Sequence, residues 1–322
     1  MHAIQVLRHG GPDVLEWREV KTPEPAEGEL LVEMAAAGVN YVETYQRRGI
    51  YPEDTPFTPG GEGAGRVAGL GPGVEGFKVG DAVASTNFMG SYAEFSLLPA
   101  SRAINVPEGV TGDQAAGSLL QGMTAHYLCH SSYSLHPGDI CLIHAGAGGV
   151  GRLLIQMAKK LGATVIATAS SPDKIDLASS AGADHVVNYT EEDFGDAVER
   201  LVGHNRLAAV FDGVGASTFD RGLTLLRPRG TMVIFGQSSG VVPPFELRRL
   251  FSLGSLYVTR PSLGVYVASR QDLERRAGDV FAWIADGSLD LRIPHRWPLR
   301  EAATAHTELE ARRTTGKILL DP

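Results

Sequence analysis

The residues best placed to do chemistry are glycines. Gly146, Gly148 and Gly151 stand in G-x-G-x-x-G order directly after the apolar run Ile140-Cys141-Leu142-Ile143, which reads as a buried strand. Leu153, Leu154, Met157, Ala158 and Leu161 then recur at helical spacing, and Gly162 ends the helix. A strand, a glycine turn and a helix together make a phosphate cradle. Glycine lets the backbone come close to a pyrophosphate, and the helix N-terminus offers unpaired N–H groups and partial positive charge. The glycine pattern alone also matches ordinary tight turns in α/β sheets. Both flanks here have the required type, so Gly146, Gly148, Gly149, Val150 and Gly151 are read as a dinucleotide-binding loop.

The next strand speaks to which dinucleotide. An Asp or Glu at its tip would hold the ribose hydroxyls of NAD. The strand runs Thr164-Val165-Ile166-Ala167-Thr168-Ala169 and ends in Ser170-Ser171, with Lys174 one turn later. A 2′-phosphate repels a carboxylate but accepts hydrogen bonds and a cation, so these residues favour NADPH. Asp173 is accounted for by the favourable dipole position of an acid in a helix's first turn. Taken alone, Lys174 is equally a solvated helix residue.

Other chemical patterns are weaker. Gly236-Gln237-Ser238-Ser239-Gly240 matches the G-x-S-x-G nucleophile elbow, and Asp290 and His306 follow in suitable chain order. Pro243-Pro244 interrupt the place where the elbow's helix should begin, so a hydrolase is disfavoured. The ten histidines are scattered, without metal-ligand spacing on any helix face.

Composition narrows the class. Hydrophobic residues make up 43% of the 322 and charged residues 20%, as expected of a soluble globular chain. A net charge of −8 argues against a nucleic-acid binder held by a broad basic face. Cys129 and Cys141 both sit among apolar neighbours and read as small core residues, which suits a reducing compartment. The chain begins at once as an alternating strand, with no signal peptide and no long apolar span, so a cytoplasmic protein without a membrane partner is expected.

The elements that must position these residues fall into two groups. Residues 1–100 are rich in glycine and proline, with short strands. Ile4–Leu7 and Leu15–Val20 flank Gly10-Gly11-Pro12-Asp13 as a hairpin, and Glu29–Ala37 is a further strand, the signature of a small, partly open barrel. A helix over Gln114–Tyr127 leads into the second group. There, strands at 140–144, 164–168, 185–188, 208–212, 231–235 and 256–259 alternate with helices at 149–161, 172–180, 192–202, 217–226 and 245–252. Such alternation predicts an α/β fold with a doubly wound parallel sheet covered on both faces. Ser171 is placed to cap the second of these helices, with Pro172 at its first position. The tail, with helices over Gln271–Ala285 and Arg300–Arg312 and a strand over Lys317–Leu320, has too few strands for a domain of its own and is expected to complete the first.

The whole length resembles the zinc-free, zeta-crystallin-like quinone oxidoreductases of the medium-chain dehydrogenase/reductase superfamily. The resemblance runs through Gly38-Val39-Asn40-Tyr41-Val42-Glu43-Thr44-Tyr45, Gly90-Ser91-Tyr92-Ala93-Glu94, Gly122-Met123-Thr124-Ala125, the glycine loop and Phe211-Asp212-Gly213-Val214-Gly215. It is most specific in Gly254-Ser255-Leu256-Tyr257-Val258-Thr259-Arg260-Pro261-Ser262. It implies a GroES-like catalytic domain over 1–120 and 265–322, a Rossmann domain over 121–264, NADPH as cofactor, a small quinone as substrate and a homodimer paired near Leu256–Thr259. By resemblance the 2′-phosphate is held by Ser170, Lys174, Tyr189 and Arg312, with Arg313 the competing choice for the last. Phe235, Gly236 and Gln237 border the nicotinamide, and Asn40, Tyr45 and Tyr51 fall at the acceptor pocket. Where the zinc-binding branch reads Gly-His-Glu, this chain has Gly60-Gly61-Glu62, with Val39-Asn40 and Leu120 near the positions of the two cysteine ligands, so no metal is expected. A related zinc-free chemistry, reduction of α,β-unsaturated carbonyls, shares the cofactor platform, and a low-turnover NADPH-binding protein is the rival from outside enzymology.

Overall fold

The computed structural model describes residues 1–322. The chain divides into two compact units, Met1–Gln121 with Ser269–Pro322, and Gly122–Ala268.

The first unit opens on the hairpin of β1 (His2–Val6) and β2 (Leu15–Glu19), with Ile4 opposite Trp17. β3 (Glu29–Val39) buries Leu30, Val32 and Met34 on alternate positions, as a half-covered strand must. From Ala36 onward every residue of β3 is buried, and the chain then turns into α1 (Tyr41–Arg47). β4 (Glu62–Leu70), β5 (Ala82–Ser85), β6 (Phe95–Pro99) and β7 (Ile104–Asn105) follow, and then α2 (Gly112–Tyr127), within which the division between the units falls.

The second unit alternates strictly at first: β8 (Ile140–Ile143), α3 (Gly149–Lys160), β9 (Thr164–Ala169), α4 (Pro172–Ser180), β10 (His185–Asn188), α5 (Phe194–Val202), β11 (Leu207–Asp212), α6 (Phe219–Leu225) and β12 (Leu226–Ile234). α7 (Arg248–Ser252), β13 (Tyr257–Thr259) and α8 (Leu263–Tyr266) complete it. The sheet order is β10-β9-β8-β11-β12-β13, and every pairing is parallel. All six residues of β11 are buried, which is what helices on both faces require. Leu142, Ile166, Val210, Phe219, Leu223 and Met232 form the centre of its core. The chain leaves β8 in one direction toward β10 and returns on its other side at β11, so the sheet has its switch point at the glycine loop.

The tail runs through α9 (Arg270–Ala285), β14 (His295–Pro298), α10 (Ala302–Glu310) and β15 (Ile318–Asp321). β15 lies antiparallel to β3, Ile318 opposite Val39, and β14 pairs parallel with β15. The seven-stranded sheet is therefore ordered β14-β15-β3-β4-β5-β7, with β6 also on β3.

Several details differ from the sequence reading, the short helices α1 and α8 among them. β12 starts at Leu226 rather than 231, across a break in register with β11. α7 starts at Arg248 rather than 245. β14 is an additional edge strand. α10 ends at Glu310, because Arg312 adopts a left-handed φ of 59° that no helix continues through.

Candidate functional site

Two groups of residues carry the chemistry, one in each unit. In the second unit the glycine loop leaves the C-terminal end of β8. Ala145 takes a φ of 55°, an uncommon conformation for a residue with a Cβ, of the kind that gathers at functional turns. The loop is pinned by Gly146 N donating to Thr168 O at 2.9 Å and by Gly148 N donating to Ala145 O at 2.9 Å. A Cβ on Gly146 would lie 2.8 Å from the Ala167 Cβ, and one on Gly151 would fall on the Ala145 carbonyl, so side chains are excluded at both positions. α3 then begins at Gly148 with no side-chain cap. Its first-turn amides, those of Gly149, Val150 and Gly151, lack intrahelical acceptors and face the loop's mouth with the positive end of the helix dipole. No acid answers them within α3's own first turn. This is an anion cradle by construction.

Ser170, Lys174 and Tyr189 share the adjacent end of the sheet. Tyr189 N donates to Ala169 O at 3.1 Å, which sets Tyr189 beside the residue preceding Ser170, and its side chain is exposed. Ser171 occupies the N-cap position of α4, but its hydroxyl makes no capping bond, contrary to the capping role expected of it. Asp212, wholly buried at the end of β11, accepts from Val214 N at 2.7 Å, Gly215 N at 3.0 Å and the Thr218 hydroxyl at 2.8 Å. That acid fixes the loop against which residues 235–240 pack: Phe235 N donates to Asp212 O, and Ser239 N to Val214 O. Phe235, Gly236 and Gln237 thus follow β12 on the same end of the sheet as the glycine loop. Arg312 belongs to the first unit, in the turn after α10, while Arg313 is engaged with Glu308 at 2.7 Å.

In the first unit, Asn40 stands at the start of α1, while Tyr45 and Tyr51 pack together at its other end. The Tyr45 and Tyr51 rings lie 5.2 Å apart, and the Ile50 amide donates to Tyr45 O, closing the turn that brings them together. Asn40 heads α1 and is buried. Its amide donates to Glu62 Oε2 at 2.9 Å and to Gly38 O at 3.3 Å, while its carbonyl accepts from Lys317 Nζ at 2.8 Å. Sequence reasoning missed the partners: Glu62, Lys317 and Glu43, all wholly buried. Glu43 Oε2 accepts from Asn40 N at 2.6 Å, and its other oxygen has no partner. Burial pushes its carboxyl up to about 7, against the opposing pull of the Lys317 ammonium.

A second buried chain fixes α1 from behind. Arg47 donates to Gly10 O, to His306 Nδ1 at 2.9 Å and to Glu310 at 2.7 Å. A guanidinium only donates, so His306 Nε2 carries the ring hydrogen and donates to the Tyr92 hydroxyl at 3.1 Å. Burial, and then Arg47, hold His306 down at about 3, so it stays neutral and is no catalytic base. The chain from Ser238 shows no helix until Arg248, which removes the hydrolase reading altogether.

The fold and these sites define a two-unit, dinucleotide-binding oxidoreductase architecture. Residues 26–137 match the alcohol dehydrogenase GroES-like domain, and residues 149–282 match the zinc-binding dehydrogenase domain. The chain is 42% identical to the quinone oxidoreductase of Pseudomonas aeruginosa, with 99% of both chains covered. It is 38% identical to a 2-haloacrylate reductase of Burkholderia, over 99% of this chain and 98% of that one. The structure of Escherichia coli quinone oxidoreductase complexed with NADPH superposes with a TM-score of 0.96 at 39% identity, covering 100% of both chains. This chain belongs to the quinone oxidoreductase family of the medium-chain dehydrogenase/reductase superfamily.

The zinc that the second domain's description implies does not fit these residues. Asn40, Gly61 and Leu120 offer neither thiolate nor imidazole, and the Glu62 carboxylate is taken by an ammonium. A dinucleotide fits the cradle of α3, where side chains are excluded and the amides are uncapped.

Glu43 generates a pH prediction. The folded chain keeps its proton up to about 7, whereas the ordinary value is 4.5, so between these the folded state binds more protons than the unfolded one. Its contribution is complete below 4.5 and is lost as pH rises through 7. In urea titrations, wild type should lose about 3 kcal/mol more stability than Glu43→Gln between pH 4.5 and about 8. Parallel pH slopes for the two proteins would contradict the buried, protonated acid.

Proposed function

We propose that the protein is an NADPH:quinone oxidoreductase that reduces small quinones without a metal. The observation that carries this reading is the uncapped start of α3 beside a β9 tip followed by Ser170 where an NAD-binding acid would stand, with Lys174 in the first turn of α4. Gly146, Gly148, Gly149, Val150 and Gly151 would cradle the pyrophosphate. Ser170, Lys174 and Tyr189 would meet the 2′-phosphate, and Phe235, Gly236 and Gln237 would flank the nicotinamide. Bound NADPH supplies a hydride. The quinone relatives at about two-fifths identity favour quinones as the acceptor class.

A quinone asks little of the protein. It is already electrophilic, and its reduced oxygens take protons from water, so close stacking and a few hydrogen-bond donors suffice. The Tyr45–Tyr51 pair, its rings tilted 59° to one another, supplies aromatic surface and two phenolic groups. The resemblance to a 2-haloacrylate reductase supports a second reading, reduction of α,β-unsaturated carbonyls.

A homodimer is part of the proposal. β13 is the outermost strand of its sheet, and Leu247, Phe251, Tyr257 and Val265 expose large apolar side chains around it. A second copy of the same edge, related by a two-fold axis, would satisfy both the open backbone and the apolar surface. Both cysteines are free and buried, which suits the reducing, cytoplasmic setting we propose.

NADPH oxidation measured against a quinone and a 2-alkenal decides between the two acceptor classes: the quinone should turn over faster, and a faster alkenal reverses the order. Lys174→Ala should weaken NADPH about ten-fold and leave NADH nearly unchanged, because only NADPH carries the extra phosphate. Equal losses would make Lys174 structural. Light scattering should give the mass of two chains for wild type and of one for Val258→Pro, which breaks a strand edge; a monomeric wild type excludes the dimer.

A further inference from the structure

The ammonium of Lys317 is wholly buried, and each of its three hydrogens has its own acceptor. These are Val39 O at 3.2 Å, Asn40 Oδ1 at 2.8 Å and Glu62 Oε2, with which it forms a fully buried ion pair. Glu62 in turn spends its other oxygen on Leu120 N at 2.8 Å. The Asn40 amide can therefore sit only one way round. Turned over, it would set an NH2 group against the ammonium and a carbonyl against the carboxylate. Both Asn40 hydrogens are also already donated, to Glu62 and to Gly38 O, so none is left for a ligand.

Gln121 is different. Its Nε2 donates one hydrogen to Asn40 Oδ1 at 3.5 Å and keeps the other, and its Oε1 is buried with no partner. Backbone space has been cleared for the lysine: a Cβ on Gly38 would lie 2.9 Å from Lys317 Cε and 2.7 Å from Glu62 Oε2, and one on Gly117 would lie 2.9 Å from Lys317 Cγ. A buried ion pair is seldom more stabilising than a well-packed apolar pair, so its evident effect here is to fix a neighbouring side chain.

We propose that Lys317 is a positioning residue for acceptor reduction: its ammonium locks the Asn40 amide and thereby holds Gln121 as the amide with free hydrogen-bonding capacity toward the acceptor. This rests on the reading that the start of α1 borders the acceptor. It assigns Asn40 an internal role and makes Gln121 the side chain that meets the reacting ligand.

The test is steady-state kinetics on the full-length protein with NADPH and a 1,4-quinone from about pH 6 to 9, with NADPH affinity measured separately. Lys317→Met should lower kcat/KM for the quinone about ten-fold or more while leaving NADPH affinity within about two-fold. Its pH profile should also differ from that of wild type, because the Lys317 ammonium acts on the Glu43 carboxyl bonded to Asn40 N. The other groups facing this point are Glu43 and Arg47 on α1 and the Tyr92 hydroxyl; of these, Glu43 loses the lowering pull of Lys317, so its carboxyl moves further up in the variant. The double variant Glu62→Gln/Lys317→Met removes both charges and should regain much of the rate.

Wild-type kcat/KM in Lys317→Met overturns the proposal, as does a double variant no faster than the single one. If Lys317→Met does not fold, Gln121→Leu is read instead, because it leaves the ion pair intact. It should lose about ten-fold in kcat/KM with an unchanged melting temperature, and full activity overturns the proposal. A wild type that oxidises no NADPH with any quinone sinks the functional reading; wild-type turnover matched by the variants sinks only this inference.

Discussion

The close approach of the glycine loop to its neighbours at the start of α3 is the constraint on which the nucleotide unit depends. Gly146 and Gly151 pass so near Ala167 and the Ala145 carbonyl that no side chain fits at either position. Because nothing projects from the loop, the amides of the helix's first turn stay open, and the dipole of α3 ends on an accessible concavity. The rest of the sheet's C-terminal end is arranged around that opening. Asp212 ties down one flanking loop, residues 235–240 pack on it, and the tips of β9 and β10 bring Ser170 and Tyr189 to the other side.

The first unit solves a different problem, that of holding polar side chains rigidly without water. Two acids, Glu43 and Glu62, share one interior with one lysine. Lys317 answers Glu62, and Glu43 is left to keep its proton. Behind them Arg47, His306 and Tyr92 form a second hydrogen-bonded chain in which the Arg47 guanidinium sets the His306 tautomer. Such networks are costly when incomplete and rigid when complete. Their rigidity suits a site that has little chemistry to perform beyond orienting a flat, electrophilic acceptor.

The sequence made the nucleotide unit legible because its signals are local. β8, the glycine loop and α3 occupy consecutive residues, and the periods of strand and helix differ enough to be told apart. The elements it missed are those that depend on distant partners. β14, His295-Arg296-Trp297-Pro298, is short, charged and closed by a proline, and only its pairing with β15 makes it a strand. α10 was carried two residues too far because nothing in Ala311-Arg312-Arg313 announces a left-handed turn. Lys317 is the clearest case. A lysine near a chain's end reads as solvated surface, and its carboxylate partner lies 255 residues away in sequence. The signal that was available is Gly60-Gly61-Glu62: an acid kept where its metal-ligand neighbour is missing needs some other cation.

Calorimetric titration of the wild-type protein with NADPH and with NADH, each at low and high salt, tests the central claim most directly. The account predicts tighter binding of NADPH, with an advantage that shrinks as salt screens the 2′-phosphate contacts. Equal affinities that do not respond to salt, or no binding of either nucleotide, would contradict it.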